Sequence, residues 1–426
     1  MTITWQSLNW RRAGRLTAAA TMIAATTLAN SLGAVAASAA STRPVSSMPT
    51  IAITLDPIPF GELPSWSADD HLAAWKAFLA SCGPLLKIGQ GNPKPGSYGS
   101  PAALLEACTL AQVTAKSGVA QTRQGARAFF ETFFRPHRVS GTQSAGLLTG
   151  YYEPLIKGSR IPDATFKIPI YRRPADLVNV VAESDRGAKS ASYTHLRKTE
   201  HGLEPYLARA EIEQGGLAGQ GLEMMYFKDP VDVFFMQIQG SGRVELPDGT
   251  KVRVTYDGKN GYPYTSIGRV LIDAGQLTAE AMSLQALKQW LRADRERAKA
   301  VMWKNQSYVF FRELTGVEAK GAMGVNGIPL QPGRSLAVDT SFYAIGTPIY
   351  VDAPEIAHVT KAGGFRRLMI AHDVGSAIKG SERGDIYFGS GDNAGRLAGI
   401  TKQTGRFFVL LPEAKALEHA TASSTP

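Results

Sequence analysis

The 426-residue chain lacks the motifs of several common enzyme classes. It has no GxSxG nucleophile elbow, no HExxH zinc motif and no GxGxxG turn that opens a helix. Its only cysteines, Cys82 and Cys108, are not accompanied by spaced histidines, so a zinc cage is not expected. Serine-triad, metalloprotease and dinucleotide chemistry are therefore not indicated, and neither a cofactor nor a metal is expected.

The two cysteines have two open interpretations. Exported proteins often oxidise such a pair, whereas cytosolic proteins keep buried free thiols. Cys82 and Cys108 each fall on the apolar face of a predicted helix. We predict a disulfide between these two helices.

The chain also lacks long runs of like charge, although its formal net charge is +10. No basic helix with interleaved aromatic residues is present, so a nucleic-acid partner is not indicated. A dispersed positive surface suits an anionic polysaccharide or a wall polymer that carries peptides.

The first 39 residues have the pattern of a targeting segment. Three arginines precede a small, mostly apolar run from Leu16 to Ala36, and Ala37-Ser38-Ala39 resembles a cleavage site. The alternative is an uncleaved membrane anchor, but the run contains Asn30 and many alanines. We predict a signal peptide at 1–39 and export to the periplasm.

The rest of the chain predicts a mainly β protein with N-terminal helices, an α+β class. An amphipathic helix is predicted from about Leu72 to a stop at Gly83-Pro84, and two more helices follow it. Strands are predicted over Leu147–Glu153 and over Val233–Tyr256.

A stretch near the C-terminus carries three aspartates beside predicted turns. Three short β-branched or alternating runs lie between positions 335 and 371, and the aspartates are Asp339, Asp373 and Asp385. Aspartates at strand ends usually cap turns, and this remains the simpler reading of each one. Asp373 and Asp385 are separated by a glycine-rich turn, which could bring two strand ends to one mouth of a small barrel.

Several motifs carry a resemblance to a known family. They are PGRSLAVD, GTPIYVD, HDVGSAIKG and GDIYFG near the C-terminus, and LLTGYYEP, QIQGSGRV and GKNGYPYTSIGRVLID before them. This set resembles the membrane-bound lytic murein transglycosylase A family with its three-aspartate ("3D") domain. The resemblance spans about residues 145 to 412.

The resemblance implies a double-psi β-barrel domain, a smaller inserted β-barrel domain and a substrate groove between them. The expected divisions are a signal peptide at 1–39, an extended linker at 40–66, the discontinuous barrel at 67–160 and 313–412, the insert at 161–312 and a flexible tail at 413–426. Many family members are lipoproteins. Here the first cysteine is Cys82, so a lipid anchor on an N-terminal cysteine is not expected. The expected protein is periplasmic and peripheral to the outer membrane.

The resemblance also implies cleavage of the MurNAc–GlcNAc β-1,4 bond in peptidoglycan, with formation of 1,6-anhydromuramic ends. Its catalytic aspartate falls on Asp385, which acts first as an acid and then as a base, with Asp373 and Asp339 in support. Arg383-Gly384 stands where many relatives have His-Phe. Two alternatives stay open: a hydrolase that uses Asp385 and Asp373 as a pair, and a non-catalytic wall-binding module.

Substrate contacts are expected from aromatic rings that stack on sugars and from polar groups beside glycines. The expected residues are Thr149, Tyr151, Tyr152, Gln237, Gln239, Ser241 and Lys379. Peptidoglycan glycan strands are the expected partner, other cell-wall enzymes are candidate partners, and a monomer is expected.

Overall fold

A computed structural model describes residues 53–89, 98–140, 146–181, 193–316, 319, 321–359, 363–414 and 416–417. The elements below belong to one unit, Ile51–Pro426. The predicted signal peptide and most of the predicted tail lie outside the described residues.

The helices in the described ranges carry the caps that their sequences supply. They are α1 (His71–Ile88), α2 (Pro101–Ser117), α3 (Arg123–Phe133), α4 (Arg209–Glu211), α5 (Pro230–Gln239), α6 (Ile267–Asp273), α7 (Leu284–Ala293), α8 (Arg295–Met302) and α9 (Asp392–Ile400). The side chain of Asp70 caps α1 and that of Ser100 caps α2, each by accepting a backbone N–H three residues on.

The predicted stop of α1 at Gly83-Pro84 is wrong, because the helix continues to Ile88. Pro84 removes one helical N–H donor, but Leu85 beyond it is buried in the core shared with α2. Tertiary packing therefore sustains the last turn.

The strands in the described ranges cover most of the remaining chain. They are β1 (Thr54–Pro57), β2 (Phe134–Ser140), β3 (Gly146–Glu153), β4 (Leu155–Ser159), β5 (Ile168–Tyr171), β6 (Leu177–Asn179), β7 (His195–Thr199), β8 (Gly202–Glu204), β9 (Glu223–Phe227), β10 (Ser241–Glu245), β11 (Lys251–Lys259), β12 (Val309–Leu314), β13 (Ser335–Val338), β14 (Pro348–Ala353), β15 (Phe365–Val374), β16 (Arg383–Ser390) and β17 (Lys402–Pro412).

The largest sheet has the strand order β1-β2-β17-β14-β15-β13-β16-β3, and β17 also pairs with β3. That extra pairing closes six strands, β3, β16, β13, β15, β14 and β17, into a barrel. The inward side chains include Leu148, Leu336 and Ile386, all with no exposed surface. The prediction of a mainly β protein with N-terminal helices is confirmed, whereas the double-psi connection stays a prediction.

The predicted extended linker at 40–66 contains regular structure in its described part. Strand β1 pairs antiparallel with β2, and short 3₁₀ turns follow at Phe60–Glu62 and Trp66–Ala68. The barrel sheet therefore begins before residue 67. The sequence gives little signal for this pairing, because the four residues of β1, TLDP, carry little alternation of apolar and polar positions, and the predicted division at residue 67 stays a prediction.

The insert forms a second sheet of six strands in the order β12-β11-β10-β4-β9-β5, beside a small sheet of β6, β7 and β8. Strand β4 belongs to this sheet, and β12 extends to Leu314. The strands of the insert sheet thus lie between Leu155 and Leu314, and the predicted insert bounds of 161–312 stay a prediction. The chain crosses from barrel to insert at Pro154, because only this residue separates β3 from β4.

The prediction of strands throughout Val233–Tyr256 is wrong, because Pro230–Gln239 forms helix α5. Asp229 caps this helix, Pro230 occupies its first turn, and Gly240 ends it in a left-handed conformation with φ 74°. These start and stop signals were present in the sequence. The four-residue apolar run that they bracket, Val233–Met236, was mistaken for a buried strand.

The N-terminal helices are fixed to each other and to the barrel. Cys82 of α1 and Cys108 of α2, which the sequence analysis expected to pair, form a disulfide. Arg334, just before β13, donates two hydrogen bonds of 2.9 and 2.8 Å to the carboxylate of Asp69, just before α1. Both side chains are buried, so this ion pair lies inside the interface between helices and barrel.

Candidate active site

Asp385 lies on the outer face of the barrel, in a row that crosses four strands. Ala337 of β13 is in register with Asp373 of β15 on one side and with Asp385 of β16 on the other. Thr149 of β3 is in register with Asp385. Because side chains alternate along a strand, the neighbouring Ile386 points into the barrel and Asp385 points out.

The two aspartates of this row share a face but are not adjacent. Asp373 and Asp385 lie two strands apart, so their Cα atoms are separated by roughly 10 Å. The glycine-rich turn between β15 and β16 thus leads both carboxyl groups to the same surface of the barrel. Asp373 and Asp385 have different polar neighbours there.

Asp385 is in contact with a hydroxyl that is itself hydrogen-bonded to a cation. Thr149 Oγ1 donates to Asp385 Oδ1 at 2.6 Å, and Arg383 Nη2 donates to Thr149 Oγ1 at 2.9 Å. Burial raises the pKa of Asp385 above its usual value, against the smaller lowering effects of the Thr149 hydrogen bond and the Arg383 charge. The carboxyl therefore keeps its proton to higher pH than an ordinary aspartate does.

Asp373 accepts one hydrogen bond from a side chain and one from the backbone. Tyr151 Oη donates to Oδ2 at 2.9 Å, and the N–H of Val374 donates to Oδ1 at 2.9 Å. Burial, followed by the charge of Asp373, raises the pKa of Tyr151 well above its usual value. The tyrosine therefore remains a neutral donor at any physiological pH.

Asp339 joins two loops through its carboxylate. One oxygen accepts the N–H of Ser341 at 3.0 Å, and the other accepts the N–H of Gly380 at 2.9 Å. Gly380 follows the exposed Lys379, so Asp339 fixes the backbone of the loop that carries this lysine. These contacts match the turn-capping interpretation of a strand-end aspartate.

A cavity of about 580 Å³ lies between the barrel and the insert. The expected residues that line it are Tyr151, Asp339, Asp373 and Lys379 from the barrel, and Gln237, Gln239 and Ser241 from the insert. Asp385 and Thr149 are partly exposed and do not themselves line this space, but Asp385 shares its barrel face with Asp373, which does. Asp385 is close enough to Tyr151, a wall residue, for its charge to affect the tyrosine pKa.

Tyr152 faces away from this cavity. Its ring packs in a buried cluster with Ala394 and Ala398 of α9. The strand alternation that turns Tyr151 towards the cavity turns the next residue towards the helix.

The insert side of the cavity is built on the last turn of α5. The guanidinium of Arg209, which is 1% exposed, donates to Gln237 Oε1 at 2.6 Å. Because arginine has only donors, this contact fixes the carbonyl side of the Gln237 amide. Gln237 Nε2 is buried and has no hydrogen-bond partner among the described residues.

Gln239 connects the two sheets. Its Oε1 accepts the backbone N–H of Tyr152 at 3.0 Å, at the end of β3. A second contact across the same junction joins Arg253 of β11 to the buried Glu153 at 3.0 Å. Gln239 therefore lines the cavity and also fixes the insert to the barrel.

Sequence reasoning did not assign roles to Arg383 or Arg209. Arg383 was named only as a departure from the family motif, but a role beside Asp385 could have been predicted, because a residue two positions earlier on a strand shares its face. Arg209 gives no local signal, since its contacts to Gln237, Asn305 and Ser307 lie 28 to 98 positions away.

Two further kinds of feature, a metal site and a membrane-spanning helix, are absent from the part of the chain that the structure describes. No group of three or more histidine, cysteine, aspartate or glutamate side chains is arranged to hold a metal ion there. Within the same residues, none of the helices has both the length and the apolar character needed to cross a membrane.

The two parts of the chain each match a known domain family. Residues 147–312 match the MltA specific insert domain, and residues 334–411 match the 3D domain. The fold and the site thus define a two-part protein that combines a 3D-domain barrel with an MltA insert.

Individual proteins with this organisation are similar to most of the chain. The crystal structure of a membrane-bound lytic murein transglycosylase from Agrobacterium tumefaciens is 36% identical, with a TM-score of 0.75 over 86% of this chain and 99% of that one. Escherichia coli MltA with bound chitohexaose is 27% identical, with a TM-score of 0.57 over 84% and 91%. The chain belongs to the membrane-bound lytic murein transglycosylase A family.

A curated relative extends this comparison. The membrane-bound lytic murein transglycosylase A of Vibrio cholerae serotype O1 is 38% identical over 268 residues. The match covers 62% of this chain and 65% of that protein.

Proposed function

We propose that this protein is a lytic transglycosylase that cleaves the MurNAc–GlcNAc β-1,4 bond of peptidoglycan and leaves 1,6-anhydromuramic ends. The observation that carries the proposal is the environment of Asp385. A carboxyl group with a raised pKa shares a barrel face with Asp373, and its charge acts on Tyr151; both of these residues line a cavity between two sheets. A protonated acid beside an extended groove is what cleavage of a glycosidic bond requires.

The proposed reaction has two proton transfers by the same group. Protonated Asp385 gives its proton to the glycosidic oxygen as the bond from that oxygen to C1 of the muramic residue breaks. The resulting carboxylate then takes the proton of the muramic C6 hydroxyl, whose oxygen forms a bond to C1. The nucleophile belongs to the substrate, so the enzyme gains the advantage of proximity without activating a water molecule.

Asp373 and Asp339 are proposed as supporting residues. Asp373 with Tyr151 forms a charged, hydrogen-bonded pair on the cavity wall and on the same barrel face as the acid. This pair would stabilise the positive charge that develops at C1 in the transition state. Asp339 would hold the loop of Lys379 in position.

Substrate binding is proposed for the cavity side chains that present polar groups. Gln237 Nε2 is a buried donor that a sugar oxygen could satisfy, and an unsatisfied donor is costly in a protein interior. Ser241 and Lys379 line the same space, as does Tyr151. The Escherichia coli relative is described with bound chitohexaose, and this supports an oligosaccharide ligand for the corresponding groove.

The test is the mass of the products released from purified murein. A lytic transglycosylase leaves muropeptides that are lighter by one water than their reducing counterparts. Reducing ends would instead favour a hydrolase that uses Asp385 and Asp373 together. Binding to intact sacculi without release of fragments would favour a wall-binding module.

Location and partners follow from the substrate and are part of the same proposal. Peptidoglycan lies in the periplasm, so we propose export by the segment at 1–39 and activity there as a monomer, peripheral to the outer membrane. Other cell-wall enzymes are proposed partners. Fractionation of cells that express the full chain, followed by N-terminal sequencing, tests the export and cleavage of the segment.

A further inference from the structure

Arg383 occupies a fixed position beside the proposed acid. It lies two residues before Asp385 on β16, so the two side chains share the outer face of the barrel. Its Nη1 donates to the carbonyl of Gly384 at 2.5 Å and to that of Leu147 at 3.4 Å. These backbone contacts orient the guanidinium, and Nη2 then reaches Thr149 Oγ1 at 2.9 Å.

The donor inventory fixes the direction of the hydrogen bonds. A guanidinium has five N–H donors and no acceptor, so Thr149 must accept from Arg383 through an oxygen lone pair. A threonine hydroxyl has a single hydrogen, and the acceptor that remains for it is Asp385 Oδ1 at 2.6 Å. The order is therefore Arg383 to Thr149 to Asp385.

We propose that Arg383 is a positioning residue that selects the oxygen of Asp385 which transfers the proton. By holding the Thr149 hydroxyl hydrogen on Oδ1, it makes that oxygen an acceptor and leaves Oδ2 to carry the acidic proton. Without Arg383 the threonine hydroxyl could rotate, and the proton of Asp385 could reside on either oxygen. This inference rests on the proposed function, because it concerns the acid of that reaction.

The charged surroundings of Asp385 support the assignment. Asp373 faces it from β15, Tyr151 from β3, and Tyr387 and Arg383 from β16, while β13 contributes the uncharged Ala337. The exposed Lys402 of β17, in register with Thr149, lies one strand further away in solvent. Among the cations, Arg383 is the one whose charge lowers the pKa of Asp385 against the effect of burial.

Arg383→Met tests the inference through kcat/KM as a function of pH on soluble murein fragments. The alkaline limb reports the loss of the Asp385 proton, and removal of the cation should move that limb to higher pH. At the optimum kcat should fall roughly tenfold to a hundredfold, since the proton donor is less well oriented. Arg383→Lys retains the charge, so its limb should stay near that of the wild type.

Thr149→Val provides the matched background. If Arg383 acts through Thr149, Arg383→Met should lower kcat much less in the Thr149→Val protein than in the wild type. The inference would be overturned if Arg383→Met lowered kcat equally in the wild-type and Thr149→Val backgrounds. It would also be overturned if Arg383→Met kept both the alkaline limb of the pH profile and the kcat of the wild type. Thermal melting of every variant identifies misfolding. If Arg383→Met is misfolded, Arg383→Lys is used in its place in both backgrounds.

The same experiment separates this inference from the proposed function. If wild-type digests contain no anhydro ends, the proposed function fails. If anhydro ends form but Arg383→Met keeps the pH dependence and the kcat of the wild type, only the role of Arg383 fails.

Discussion

The backbone N–H of Tyr152 donates to the side-chain Oε1 of Gln239 at 3.0 Å, across 87 positions of sequence. The bond lies where β3 leaves the barrel, and it joins the barrel to the end of α5 in the insert. A residue that lines the cavity therefore also holds the two sheets together.

Gln239→Ala should consequently affect both stability and binding. The Tyr152 N–H loses its acceptor, and an unsatisfied buried donor costs about 1–3 kcal/mol. Gln239→Glu keeps an oxygen acceptor and is the matched control for the junction. Urea denaturation and binding of chitooligosaccharides, measured on both variants, check the prediction. Normal stability of Gln239→Ala would show that the junction does not depend on this bond.

Asp385→Asn should nearly abolish activity while leaving the fold intact. The amide keeps the shape of the carboxyl but cannot transfer its proton, and general acid catalysis contributes about 10²–10⁴ in rate. Because the group acts twice, we expect a loss at the upper end of this range. Turnover of murein and binding of intact strands are the measurements.

Asp373→Asn is the control for that substitution. Its amide weakens the acceptor of the Tyr151 hydroxyl and the Val374 N–H, so a smaller loss of activity with lower stability is expected. A dead but well-folded Asp373→Asn, together with an active Asp385→Asn, would transfer the acid role to Asp373. If Asp385→Asn and Asp373→Asn are both inactive and well folded, the result favours the two-carboxylate hydrolase.

The ion pair of Asp69 and Arg334 should make a large contribution to stability. Asp69 also accepts the N–H of Leu368 at 2.7 Å, so Asp69→Ala leaves the buried Arg334 without its counter-ion and the Leu368 N–H without this acceptor. Loss of one partner of such a pair costs about 3–5 kcal/mol. Chemical denaturation measures the loss, and the double variant Asp69→Leu with Arg334→Met should recover part of it.

His372 should make the protein sensitive to acid. Burial lowers the pKa of His372 to about 3, and the Ala77 carbonyl offsets only part of this effect. The folded pKa lies below the unfolded value of about 6.5, so the stabilising effect is complete above that pH and is lost as pH falls towards 3. The slope is at most about 1.4 kcal/mol per pH unit. His372→Asn should flatten the decline in the free energy of unfolding between pH 6.5 and 4, whatever its absolute stability.

The disulfide between Cys82 and Cys108 should stabilise the N-terminal helices. Its cysteines are 26 positions apart, and closing a loop of this length contributes roughly 3–4 kcal/mol in the chain-entropy treatment. Cys82→Ser with Cys108→Ser should lower the melting temperature while the barrel sheet still forms. Mass measurement of the exported protein after alkylation without reduction should find no modified cysteine; two modified cysteines would contradict the bond.

The parts of this structure that could be predicted from sequence are those with local signals. The helix pair of the cysteines and the strands near Asp339 and Asp385 follow from apolar spacing and turn residues. Helix α5 was missed although its cap and stop were present, because its central run is apolar on all sides.

Other features have no local signal at all. Thr149 and Asp385 are 236 positions apart, and only the register of two parallel strands brings them together. Arg209 holds Gln237 from a segment whose own sequence reveals nothing of that contact. Such pairings depend on topology, which spacing along one segment cannot supply.

The position of β17 has a consequence for how the protein matures. This last strand, Lys402–Pro412, pairs with β2, β3 and β14, and it is the strand that closes the barrel. Pairings between distant segments form slowly because a long stretch of chain must first be ordered. A polypeptide whose synthesis has not yet reached residue 402 lacks the closing strand and thus cannot close its barrel. The lytic activity proposed for this protein is therefore expected only once this closing strand has been made.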